Sequence, residues 1–171
     1  NAKQVDQFLQ RARVSLETPQ AATEPVNSSD VRAVSFDPVK GGYSAAVVDA
    51  ALDRLEDAFA RRERDELIAA QGEEAWLREI GNLSGILRGR LHRPDGDRFR
   101  RPGKKKGRSY NTDDVDRLCH ELIAYLEQDK PLSVDSVRRA VFRPAVGQEG
   151  YEESQVDAFL DRVVELMAAI D

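Results

Sequence analysis

Residues 150–160, GYEESQVDAFL, decide the reading of this chain. A glycine and an aromatic, Tyr151, are followed after four residues by Val156 and Asp157, and then by Phe159, Leu160, Val163, Met167 and Ile170. Apolar residues three and four apart lie on one side of a 3.6-residue helix, so this stretch predicts an amphipathic helix entered directly from a glycine-aromatic turn. Working outward, the pattern recurs at 43–52 (YSAAVVDAAL) and at 110–119 (YNTDDVDRLC). A fourth copy, residues 1–9 (NAKQVDQFL), holds the part that follows the aromatic. It opens inside a helical pattern without a methionine, which reads as a piece of a longer protein.

The Val-Asp aspartates are Asp6, Asp49, Asp116 and Asp157, spaced by 43, 67 and 41 residues. Two similar spacings flank a longer one, which predicts a duplicated pair of units. The lead-in repeats too: residues 30–36 (DVRAVSF) precede the second copy as 135–142 (DSVRRAVF) precede the fourth. With Asn111 as N-cap, Tyr110 falls where a hydrophobic staple would clamp it onto Val115. The same register sets Tyr43 on Val48 and Tyr151 on Val156, with Ser44 a good cap and Glu152 a poor one. Each aspartate then sits near the start of a helix, where the dipole favours a carboxylate and where backbone or arginine donors can reach it.

The lead-ins predict short helices capped by Ser29 and Ser133, with Val31, Val34, Val137 and Val141 on the buried side. Asp37-Pro38 and Arg143-Pro144 stop them, and Gly41-Gly42 or Gly150 lets the chain reverse. Between the pairs, Trp76, Leu77, Ile80, Leu83, Leu87 and Leu91 mark one face of a helix over 73–90. Residues 61–66 read as a charged, solvated surface, and residues 92–109, rich in Gly, Pro and Arg, as a loop. The organisation expected is a repeat pair over 1–60, a helical insert plus basic loop over 61–109, and a second repeat pair over 110–171. The fold class expected is all-α, short-helix/turn/long-helix units packed as a small helical bundle.

Charged residues make up 33% and apolar residues 40%, enough to bury a helical interior. Residues 88–108 carry ten Lys/Arg against two Asp, so a net charge of −5 conceals an acidic body with one basic loop. No apolar run approaches the length of a membrane-spanning helix. The single cysteine, Cys119, aligns with Leu9, Leu52 and Leu160 at a core position, and its neighbour His120 points about 100° away from it, so no nucleophilic pair is expected. Asp49 with Asp53 and Asp157 with Asp161 lack the His or Cys that a metal site would add. No catalytic residue, cofactor, metal or small-molecule substrate is expected. The basic loop, Arg98, Arg100, Arg101, Lys104, Lys105, Lys106 and Arg108, could meet anionic lipid headgroups, or nucleic-acid phosphates, or remain a solvated loop without a ligand.

A short helix, a glycine-ending turn, an aromatic and a long helix opening with Val-Asp-x-Phe-Leu resemble the DivIVA domain of bacterial cell-division and polar-growth proteins. Residues 150–160 match best and 42–52 next. Several such units in one chain are similar to the DivIVA-repeat group of Gram-positive bacteria. The resemblance implies a non-catalytic scaffold, coiled-coil assembly, and a turn whose exposed apolar residue and neighbouring cation touch a membrane, here Val39-Lys40. It further implies a cytoplasmic location, possible placement at the inner membrane face, self-association and other division or growth proteins as partners. A nucleic-acid-binding adaptor using residues 98–108 is the alternative, and pairing of units within one chain is expected to stand in for the dimer of the parent family.

Overall fold

The computed structural model describes residues 1–170. The chain separates into two units, Asn1–Gly72 and a second from Glu73 onward. The expected insert over 61–109 is thereby divided: residues 61–72 belong to the first unit, 61–71 of them in a helix, and residues 73–109 belong to the second.

In the first unit, α1 (Ala2–Glu17) starts at Asn1, whose side chain accepts from the backbone N–H groups of Lys3 and Gln4. Its buried face is Val5, Phe8, Ala12 and Ser15. The short α2 (Ser28–Ala33) is capped not by Ser29 but by Asn27, in a reciprocal capping box with Asp30. The long α3 (Ala45–Gln71) has Ser44 at its N-cap position, yet the serine side chain makes no cap bond. Phe8, Ala12, Val26, Val31 and Phe59 form the core. Residues 61–66 are not simply solvated surface. Glu63 accepts from Ser28 N–H at 2.9 Å and Ser28 Oγ at 2.6 Å, so α3 neutralises the positive end of α2. The Arg62 guanidinium lies 5.2 Å from the Phe59 ring centre and donates to the Ser15 carbonyl. Glu56, almost fully buried, is paired with Arg32 at 2.8 Å.

The second unit contains α4 (Glu73–Leu91), β1 (Arg108–Asn111), α5 (Thr112–Glu127), α6 (Val134–Arg138), β2 (Pro144–Val146), β3 (Gly150–Glu152) and α7 (Glu153–Ile170). The protein is therefore mostly helical and not purely all-α. Two of the three strands, β1 and β3, are the residues just ahead of the long helices α5 and α7, which sequence periodicity reads only as turn. They run antiparallel in the order β2-β1-β3, with Tyr110 opposite Tyr151. Two extended helix entrances brought face to face satisfy each other's backbone groups, which would otherwise be buried unpaired. Asn111 caps α5 through Asp114 N–H, and Ser133 caps α6 through Asp135 N–H, both as expected. α4 buries Leu83, Leu87 and Leu91 against α7, whereas Leu77, expected on the same face, is 53% exposed.

Two glycines show opposite constraints. At Gly150 an added Cβ would lie 2.4 Å from the Tyr110 carbonyl oxygen and 2.7 Å from Ala145 Cβ, because β1 crosses there. At Gly85, inside α4, an added Cβ meets nothing. In thermal unfolding, Gly150→Ala is expected to destabilise by about 1–3 kcal/mol through overpacking, while Gly85→Ala stabilises by roughly 0.5–1 kcal/mol through helix propensity. Equal shifts for the two variants would contradict the strand crossing.

Candidate functional site

Three of the four motif aspartates, Asp6, Asp116 and Asp157, are met by tyrosines from the other helix of the same unit. Tyr43 Oη, at the entrance to α3, donates to Asp6 on α1 at 2.8 Å. Tyr110 Oη, ahead of α5, donates to Asp157 on α7 at 2.8 Å, and Tyr151 Oη, ahead of α7, donates to Asp116 on α5 at 2.8 Å. The tyrosines thus cross between helices, in addition to any packing on their own. Asp6 raises the pKa of Tyr43, while burial first and the facing carboxylate second raise those of Tyr110 and Tyr151. All three therefore keep the proton they donate. Val115 and Val156 are fully buried beneath this exchange, but Val48 is only half-buried and Tyr43 is 54% exposed.

Asp116 anchors a larger network. One carboxylate oxygen accepts from Tyr151 and from Arg98 Nη1 at 2.9 Å, and the other accepts from Gly96 N–H at 2.9 Å. Arg98 also donates to the Leu91 carbonyl at 3.0 Å and to Asp95. It is a core residue, so the expectation that it meets external anions is corrected: a guanidinium withdrawn from water needs paired oxygen acceptors, and Asp116 and Asp95 supply them. Arg100 is likewise engaged, through two bonds to Glu152 at 2.9 and 3.0 Å. Arg101 lies 5.1 Å from the Tyr151 ring centre and donates to the Gly96 carbonyl at 2.7 Å. Phe99, set among these arginines, is buried with Tyr151 and Phe159 at ring distances of 5.2 Å. Residues 95–101 are thus a folded strap of the second unit and not a free basic loop. The one signal in the sequence was an aromatic within a basic run, which a purely electrostatic strap would not require.

What remains at the surface is a smaller group. Lys104, Lys105, Lys106 and Arg108 are exposed. Arg108 pairs in register with Val146, itself 68% exposed, at the edge of β2. The lysine turn is held against this edge, since a Cβ at Gly147 would fall 2.1 Å from the Lys105 carbonyl oxygen. In the first unit, Val39 is 55% exposed and Lys40 exposed at the turn closed by the Gly42 N–H bond to the Val39 carbonyl. An exposed valine beside a cation therefore occurs in both units.

The remaining reactive groups are used internally. Cys119 is buried, and burial pushes its thiol up to about 12. His120 bonds Asp95 and His92 bonds Glu127, each at 2.7 Å. Among the described residues, no cluster of His, Cys, Asp and Glu suits a metal, and no helix is long and apolar enough to cross a membrane. No family model, curated protein or solved structure matches the chain.

Removing either of two tyrosine acceptors should have very different costs. Asp116→Ala leaves Arg98 buried without its main carboxylate and is expected to lose about 3–5 kcal/mol in urea denaturation. Asp157→Ala removes one exposed hydrogen bond and should lose only about 0.5–1.5 kcal/mol. Similar losses would show that the buried pair is not the stronger constraint.

A second test concerns Asp114, which accepts from the Arg143 N–H at 2.9 Å and from the guanidinium at 3.0 and 2.9 Å. Arg143 holds this carboxyl down at about 2. Because the folded value is below the unfolded one, the stabilisation is present above ordinary carboxylate pH and is lost as pH falls through about 2. Carboxyl NMR titration should find Asp114 near that value and find it returned toward the ordinary range in Arg143→Ala. An ordinary titration in the unsubstituted protein contradicts the pairing.

Proposed function

We propose that this chain is a non-catalytic scaffold or adaptor of DivIVA-like character, made of a duplicated pair of short-helix/turn/long-helix repeats. On this reading it serves cell division or polar growth by binding other division or growth proteins, or itself, at the inner face of an anionic membrane. The repeat reading draws support from similar contacts between the start of a long helix and the residue before the proline in each unit. Asn1 N donates to the Asp37 carbonyl at 2.6 Å, as Asn111 N does to the Arg143 carbonyl at 2.8 Å. Gln4 accepts from the Asp37 N–H at 2.9 Å, as Asp114 does from the Arg143 N–H. A non-catalytic role accords with aspartates bound to tyrosine or arginine and with a thiol sealed in the core.

The observation that carries the membrane contact is Val146 standing exposed opposite Arg108, with the Lys104–Lys106 turn backed against the same edge. Four cations near an anionic surface contribute about 1 kcal/mol each, and a lone valine adds little more at about 25 cal/mol per Å². One such patch gives an association in the millimolar range. Useful binding then needs several patches acting together, a demand that self-association meets. Val39-Lys40 offers the corresponding tip in the first unit.

Co-sedimentation with vesicles tests this. The protein is expected to pellet with phosphatidylserine-containing vesicles, to be released by salt, and to ignore neutral vesicles. A Lys104→Ala, Lys105→Ala, Lys106→Ala triple variant should lose most of the binding, and Val146→Ser a smaller part. Salt-dependent retention on DNA with no lipid binding would transfer the function to a nucleic-acid adaptor. A fluorescent fusion that stays diffuse throughout growth would refute the division role.

A further inference from the structure

Helix α4 carries two neighbouring stripes. Leu83, Leu87 and Leu91 enter the core, while Leu77, Gly81, Ser84 and Arg88, spaced by four and three residues, run beside them along a cleft of about 640 Å³. Leu126 of α5 and Ile170 of α7 contribute to the other walls. Leu77 and Ile170 stand 53% and 47% exposed, so apolar surface that helical spacing assigns to a packed face has no cover within the second unit. A Cβ added at Gly81, Gly85 or Gly89 meets no atom within 4 Å. The fold itself therefore does not require these glycines, each of which costs about 1 kcal/mol in a helix interior. What they permit is the close approach of a further helix.

The charges along α4 say which helix. Glu73 and Glu74 lie in its first turn, and Arg88 and Arg90 in its last. The two ends do not neutralise each other, because residues 74 and 88 lie about 21 Å apart along a helix and charge is screened over about 8 Å at physiological salt. Arg88 and Lys130 border the cleft, with Asp129 as its one carboxylate. The face is thus acidic at one end, cationic at the other and small in the middle, a sequence that complements its own reverse.

We infer that this face of α4 pairs with the same face of a second copy, antiparallel, about a two-fold axis beside Gly81 and Ser84. Reversal sets residue 77 of one helix opposite residue 88 of the other. Each Leu77 then covers apolar wall of the opposing cleft, and Glu73 and Glu74 come within reach of the opposing Arg88, once at each end as a two-fold contact requires. A parallel pair would bring like charges together. One helix face is small beside the total of about 1,000 Å² that a stable interface buries, so the pair forms where copies are concentrated, as on a shared surface. The inference deepens the self-association reading above and rests on it for its role in the cell.

Sedimentation equilibrium of the whole chain tests it, at protein concentrations up to about 1 mM. A monomer–dimer equilibrium weakened by salt is expected. Gly81→Leu fills open space in the monomer, so it should leave the thermal midpoint of the dilute chain unchanged or raised while weakening the dimer by roughly tenfold or more. Leu77→Glu should weaken it as well. Glu73→Lys with Glu74→Lys, and separately Arg88→Glu, should each give monomers, and mixing the two variants should restore the dimer. A chain that stays monomeric throughout overturns the inference, as does a dimer indifferent to Gly81→Leu and Leu77→Glu. Vesicle pelleting separates this from the membrane reading. A monomer that pellets with anionic vesicles removes the α4 face and leaves that reading standing, whereas a dimer broken by Gly81→Leu in a chain that never pellets keeps the face and removes the membrane contact.

Discussion

The structure depends on a tyrosine at one helix entrance donating its hydroxyl to an aspartate in the opening turns of the facing helix. Each such bond contributes only about 1 kcal/mol net, so its importance is geometric. It sets the entrance of one long helix against the early turns of another, and that arrangement decides which backbone segments meet. In the second unit the bonds are reciprocal, Tyr110 to Asp157 and Tyr151 to Asp116, and the two extended entrances between them become neighbouring strands. In the first unit Tyr43 to Asp6 provides one half of the same arrangement.

From this constraint the placement of charge follows. Once Asp116 is drawn inward by Tyr151, its second oxygen and remaining acceptor capacity must be satisfied, because an unpaired buried carboxylate is costly. Gly96 N–H and the Arg98 guanidinium do this, and they bring Phe99 into contact with Tyr151 and Phe159. A run of arginines that electrostatics alone would send to solvent becomes a strap over the core. The cations that stay outside, Lys104 to Lys106 and Arg108, lie on and beside a turn that closes over backbone, against Gly147.

The same economy of partners separates what is internal from what is open to other molecules. Carboxylates with tyrosine or arginine partners, the sealed Cys119 thiol and the two histidines on acidic residues are occupied. At the exposed turn tips a valine stands beside a cation, Val39 with Lys40 and Val146 opposite Arg108. The adaptor role proposed above would rest on these tips.

Helical spacing determined much by itself. Val156, Phe159, Val163 and Met167 announced the buried face of α7, Asn111 and Ser133 announced their caps, and Cys119 fell in the core where its alignment with leucines put it. These are local matters, governed by residues within one or two turns of each other. Which residue caps α2, how deep Val48 lies and where Leu77 points were decided by neighbours distant in sequence. Tertiary structure alone decided that Tyr110 and Tyr151 stand opposite each other in a sheet, and that Arg98 belongs to Asp116 eighteen residues on. A strand of three or four residues has no periodicity to read, and a charge discloses its sign but not its partner, because pairing depends on which backbone segments packing brings together.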